Sequence, residues 1–127
     1  MPIVQVTALR QRVGVDLGAV ACAIAVAVGR ELGEEPSGTW VTWQTLAPGA
    51  YREGEHDAPL EQPPGTHPPI ARISAFEGRS PERVARVLSA VAGTIVRELS
   101  LEPGNAFVVW EELQAGRVHT GGGMPGT

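Results

Sequence analysis

Pro69-Ile70-Ala71-Arg72-Ile73-Ser74-Ala75-Phe76, followed by Glu77-Gly78-Arg79-Ser80-Pro81-Glu82, decides the architecture of this 127-residue chain. Ile70 to Phe76 alternates in the manner of a half-buried strand. Ser80, Pro81 and Glu82 then supply an N-cap, a proline at the first helical position and a first-turn acid, which together open a helix. Val84, Val87, Leu88, Val91, Ile95 and Leu99 recur at helical spacing, with Arg83, Arg86 and Arg97 on the other face. Pro103-Gly104-Asn105 turns the chain into a second apolar strand, Ala106-Phe107-Val108-Val109-Trp110. A strand–helix–strand crossover of this kind is right-handed and lays its two strands parallel.

The same unit occurs twice. At an offset of 67 residues, Pro2-Ile3 falls on Pro69-Ile70, Arg12 on Arg79, and Arg30-Glu31-Leu32 on Arg97-Glu98-Leu99. Glu35-Pro36, Val41, Trp43, Leu46, Gly49 and Gly54 also meet their own kind, giving 17 identities over 53 gapless positions, which marks a duplication. The first unit spans 1–54, a proline-rich connector 55–68, and the second unit with its Gly-rich tail 69–127, all within a single domain. The expected fold is α/β: two tandem β-α-β units forming a four-stranded mixed sheet with two helices on one face. Arg10 and Arg12 ahead of the apolar run 17–28 imitate a secretory signal, but the run aligns with the helix of the second unit and is too short to span a membrane. That first helix carries almost no charge, so contacts in an oligomer are expected to bury it further.

Pro2 opens the first strand directly after Met1. A proline at a strand's first residue is harmless, because its missing N–H is not needed there. If Met1 is removed, however, Pro2 carries a free secondary amine. Burial of that amine disfavours its charged form and brings its pKa towards working pH, where it can act as a base. Pro69 lies inside the chain, where its nitrogen is an amide without basicity.

Composition removes other classes of function. A net charge of −4 and a pI near 5.3 argue against a nucleic-acid or anionic-membrane surface. The single cysteine, Cys22, excludes an intrachain disulfide and fits a reducing, cytoplasmic compartment. His56, His67 and His119, scattered in loop-like sequence, make no metal site, and no cofactor motif is present.

Pro69-Ile70-Ala71-Arg72-Ile73, Glu77-Gly78-Arg79-Ser80, the helix after them, and the late Gly116 and Gly121-Gly122 resemble 4-oxalocrotonate tautomerase. The first unit resembles the same family through Pro2-Ile3, Arg12 and the strand after Pro36. The chain as a whole looks like a fused member of the tautomerase superfamily. The resemblance implies a homotrimer of six β-α-β units and a small carboxylate substrate. It also implies a tautomerase or isomerase reaction in which Pro2, freed of Met1, shuttles a proton between an enol oxygen and carbon. Arg12 stands where the family arginine binds the substrate carboxylate, a role suited to a planar bidentate donor. Arg79 matches it in the second unit and is expected to reach a neighbouring site.

Departures from the family pattern carry equal weight. Where the tautomerase has a second arginine, this chain has Trp40 and Phe107; where an aromatic packs over the family's site, it has Tyr51 and Val118. Tyr51-Arg52-Glu53 also resembles, more loosely, the α subunit of trans-3-chloroacrylic acid dehalogenase, which implies a water-activating role for Glu53 and a carboxylate clamp from Arg10 and Arg12. Arg10 is offset by one residue from that pattern, which on a strand turns the side chain to the other face. A non-catalytic trimer is the third reading.

Overall fold

The computed structural model describes residues 1–57 and 69–119. Most of the expected connector and the Gly-rich tail, including Gly121-Gly122, lie outside the described residues. Within them the elements follow the duplicated order: β1 (Ile3–Ala8), α1 (Leu17–Leu32), β2 (Trp40–Thr45), β3 (Arg52–Glu53), β4 (His56–Asp57), β5 (Ile70–Phe76), α2 (Pro81–Leu99) and β6 (Phe107–Leu113). Four strands form a mixed sheet in the order β2-β1-β5-β6. β1 runs parallel to β2 and β5 parallel to β6, while β1 and β5 meet antiparallel at the centre.

The duplication is exact in register. Ile3 pairs with Trp40 and Ile70 with Phe107, an identical step within each unit. Trp40 N–H donates to the Pro2 carbonyl at 3.0 Å, and Phe107 N–H donates to the Pro69 carbonyl at 2.9 Å. Both prolines therefore sit at the first rung of a ladder, where no N–H is required of them.

Local chemistry sets the helix ends. Asp16 caps α1 by accepting from Ala19 N–H at 3.1 Å, and Ser80 caps α2 by accepting from Arg83 N–H at 3.2 Å. At the C-termini, Gly33 and Ser100 occupy pseudo-equivalent left-handed positions, with φ of 68° and 54°.

Alternation along the strands then divides the sheet into two faces. Val4, Val6, Ala71 and Ile73 point to the helices and join Val20, Ile24, Val28, Val87, Val91 and Ile95 in one core, with Val41, Trp43, Val108 and Trp110 packed at its edges. Ile24, Ile73 and Ile95 are fully buried, each contributing on the order of 2 kcal/mol of apolar transfer energy. Truncating Ile73 to Ala would cost about 2–5 kcal/mol, because it is fully buried in the common core. The other face is open: Arg72 and Glu111 form an exposed ion pair at 3.0 Å across β5 and β6, and Trp40 and Phe107 are 49% and 57% exposed.

Two details differ from expectation. The proline-rich connector, expected from residue 55, is preceded and entered by a short hairpin in which Arg52 pairs with Asp57 and Glu53 with His56, because Gly54 takes a φ of 63° that a tight turn needs. His56 accordingly lies in a strand rather than a loop. The final strand runs on to Leu113, beyond Trp110, since its last residues remain in register with β5.

Candidate functional site

Antiparallel pairing of β1 with β5 determines which residues of the two units share an end of the sheet. Ile3 lies opposite Ser74, so the N-terminus of β1 meets the C-terminus of β5. Pro2 is fully buried at that end. Around it lie the start of β2, with Thr39 and Trp40, the exit of β5 towards Arg79, and the segment leaving α1 through Glu34. Glu77 N–H donates to the Leu113 carbonyl at 3.1 Å, which closes the same end of the sheet at β6.

Arg79 is tied down twice. Its Nη1 donates to the Phe76 carbonyl at 3.1 Å and its Nη2 to Glu34 Oε1 at 3.2 Å. The side chain keeps one fifth of its surface exposed, so an incoming anion still has access to the guanidinium. Gly29 makes this geometry possible: a Cβ there would lie 2.7 Å from the Glu34 carbonyl oxygen, so only glycine lets the chain fold back from α1 towards Arg79.

Arg12 lies at the other end. Residues 2 and 9 flank β1 and are separated by roughly 23 Å at about 3.3 Å per residue. Beyond Leu9 the Arg12 Nη1 donates to the Leu99 carbonyl at 3.3 Å, among the unsatisfied carbonyls at the C-terminus of α2. Arg10, exposed, belongs to this end too. The two arginines of the repeat thus cross over: each reaches the exit of the other unit's helix. Within one chain the arginine that shares an end with Pro2 is Arg79, and Arg12 and Arg10 share an end with Pro69.

Tyr51 and Glu53 form a third cluster. Tyr51 Oη donates to Glu53 Oε1 at 3.0 Å. Partial burial, reinforced by that hydrogen bond and by the Glu53 charge, pushes the Tyr51 phenol up to about 12. Among the described residues β3 and β4 pair with each other and join no strand of the main sheet, so no strand ladder carries Glu53 towards Pro2. Trp40 borders Pro2 on the open sheet face beside Ile3, and Phe107 occupies the matching place beside Ile70. Among the described residues no group of three His, Cys, Asp or Glu side chains is arranged to hold a metal ion, and no helix is long and apolar enough to cross a membrane.

Glu34 and Thr39 were not legible as site residues from motif matching. The available signal was the repeat itself: their counterparts in the second unit are Leu101 and Ala106, so the two halves differ in polarity beside Pro2 and Pro69.

No protein-family model matches the chain, and no curated protein matches its sequence. Solved structures do match its fold. A fused 4-OT, described as an asymmetric trimer, superposes with a TM-score of 0.82 at 11% identity, covering 96% of this chain and 94% of its own. A member of the cis-3-chloroacrylic acid dehalogenase family gives 0.73 at 20% identity, over 96% of this chain and 82% of its own. A macrophage migration inhibitory factor-like protein from Entamoeba histolytica gives 0.70 at 11% identity, over 94% of each chain. The chain therefore has the fold of the tautomerase superfamily, in its fused, two-unit form.

Proposed function

We propose that this fold carries a tautomerase or isomerase that uses Pro2, after loss of Met1, as general base and acid on a small enolic or α-keto carboxylic acid. The observation that carries the reading is the placement of a buried, strand-initial Pro2 at the same sheet end as Arg79, on a fold whose structural relatives include fused 4-OT. The neutral amine takes the proton from the substrate's enol oxygen as the carbonyl forms. The resulting ammonium then returns a proton to the carbon end of the double bond, so the enzyme finishes in its starting state. Arg79 offers a planar donor for the substrate carboxylate. Arg12, a strand's length away, would serve a neighbouring chain's site in a homotrimer, the state described for several fused 4-OT structures. Trp40 and Phe107 replace an electrophilic arginine with apolar surface, so the substrate favoured is one that needs little polarisation of its carbonyl oxygen.

Intact mass before and after exposure to 3-bromopropiolate tests the reading, together with ketonisation of phenylenolpyruvate by wild type and Pro2→Ala. A mass lacking one methionine, a single adduct at Pro2, and ketonisation that disappears in Pro2→Ala are expected. Retained Met1 with no adduct, or no rate above buffer, rejects the reading and leaves the non-catalytic trimer.

A second reading rests on the Tyr51–Glu53 contact and on the cis-3-chloroacrylic acid dehalogenase-family neighbour. Here Glu53 of an adjoining chain activates water for addition to an unsaturated three-carbon acid, Pro2 protonates the neighbouring carbon, and Arg10 with Arg12, likewise from an adjoining chain, holds the carboxylate. Glu53→Gln should abolish hydration and spare tautomerisation; unchanged hydration rejects it.

A further inference from the structure

Thr39 is 94% buried, yet its Oγ1 has no hydrogen-bond partner. A buried hydroxyl without a partner costs free energy and calls for an explanation. Its position supplies one. The pairing of Ile3 with Trp40 sets Thr39 beside Pro2, and both lie on the helix-facing side of the sheet, as alternation from the exposed Trp40 requires. In an extended strand a residue's nitrogen and carbonyl oxygen project to the same side. The Pro2 carbonyl accepts from Trp40 N–H, so the Pro2 nitrogen is also directed towards the strand that begins at Thr39–Trp40. While Met1 is attached, that nitrogen is a tertiary amide and can neither donate nor accept. In the second unit, where Pro69 can never be freed, the counterpart of Thr39 is Ala106.

We propose that Thr39 is a positioning residue for the Pro2 amine: its hydroxyl, orphaned while Met1 is present, hydrogen-bonds the Pro2 nitrogen once Met1 is removed. This deepens the proline-base reading above and rests on it for the removal of Met1. The hydroxyl accepts from the ammonium form and donates to the lone pair of the neutral form. The first of these bonds is charge-assisted and stronger, so Thr39 raises the pKa of Pro2 and fixes the direction of its lone pair. Charged or titratable side chains on the segments that meet at this end are Arg30, Glu31, Glu34 and Glu35 on the last turn and exit of α1, Glu77 and Arg79 after β5, Glu82, Arg83 and Arg86 at the start of α2, Glu111 and Glu112 on β6, and Arg117 and His119 after it; β2 contributes none. Arg79 is engaged with Glu34, and no hydrogen bond joins any of these side chains to Thr39 Oγ1.

The test is a titration of the Pro2 nitrogen by NMR in protein labelled with nitrogen-15 proline, in wild type, Thr39→Val and Thr39→Ser. Valine keeps the β-branched shape and removes only the hydroxyl. The expected result is a Pro2 pKa lowered by roughly half to one pH unit in Thr39→Val. The acid limb of kcat/KM should follow it, Thr39→Ser should restore both, and the melting temperature of Thr39→Val should be no lower than wild type. A processed Pro2 that titrates identically in wild type and Thr39→Val overturns the inference and leaves the proline-base reading standing. A shifted pKa in a protein with no tautomerase rate keeps the inference and overturns the activity. Retained Met1 in wild type overturns both.

Discussion

Arg79 Nη2 lies 3.2 Å from Glu34 Oε1, although the two residues belong to different halves of the duplicated chain. Glu34 follows the C-cap of α1 and Arg79 precedes the N-cap of α2, so the ion pair bridges the two units at the end that holds Pro2. Leu101 occupies the matching place at the other end, where Arg12 meets a backbone carbonyl instead.

From this pair follows a separation of roles between the two arginines. Arg79→Ala is expected to lower kcat/KM for a small enolic acid by about 10- to 100-fold, the effect of losing a hydrogen bond to a charged group. Arg12→Ala should reduce stability by about 0.5–1 kcal/mol through loss of its contact with the α2 C-terminus, and should also lower kcat/KM through the neighbouring chain's site that it serves in the trimer. Steady-state kinetics and urea unfolding on both variants separate the two effects. An unchanged kcat/KM in Arg12→Ala would remove Arg12 from the neighbouring chain's site and leave it a structural contact alone.

Gly29→Ala should destabilise the protein by about 1–3 kcal/mol, because the new methyl would meet the Glu34 carbonyl at 2.7 Å and backbone would have to move. The same shift displaces Glu34 from Arg79. Thermal unfolding combined with KM measured on the folded variant checks both consequences, and a variant of wild-type stability would refute the close approach.

Ser100 holds a left-handed conformation at the end of α2 that Gly33 holds at no steric disadvantage at the end of α1. Ser100→Gly is therefore expected to stabilise the chain by about 0.5–1 kcal/mol. Denaturant titration with an unchanged slope measures the gain. Gly33→Ser should cost a comparable amount.

Tyr51 is the only tyrosine, so its ionisation can be followed by ultraviolet absorbance without interference from another phenol. The folded protein should titrate near 12, above the ordinary value of 10.0. Raising the folded pKa means that the unfolded chain loses the proton first. Stability from this group is full below pH 10 and is lost as pH rises through about 12. Glu53→Gln removes the charge that contributes to the shift and should bring the titration down towards 10.

The expected fold, two β-α-β units in a four-stranded mixed sheet with both helices on one face, was legible in the sequence. Strand alternation, the caps at Ser80-Pro81 and a gapless duplication are all local signals. The candidate site was legible only in part. Pro2 stood out because its chemistry depends on being second in the chain. Arg12 and Arg79 stood out because they recur at the same offset, but nothing in that spacing tells which proline each one accompanies. The hairpin at 52–57 and the extension of β6 to Leu113 escaped notice because a two-residue ladder and a polar strand end, Glu111-Glu112, carry little periodic signal.

The sequence by itself therefore determined the two helices and the four main strands, their order, and their parallel pairing within each unit. Those follow from propensity and periodicity, which are properties of the chain read locally. The tertiary structure decided how the two units face each other. Because β1 and β5 pair antiparallel, the start of one unit meets the end of the other, which puts Pro2 with Arg79, Glu34 and Thr39, and Arg12 with the exit of α2. Strand direction across a long-range pair is set by the packing of both halves on one core, and no residue in either half encodes it alone.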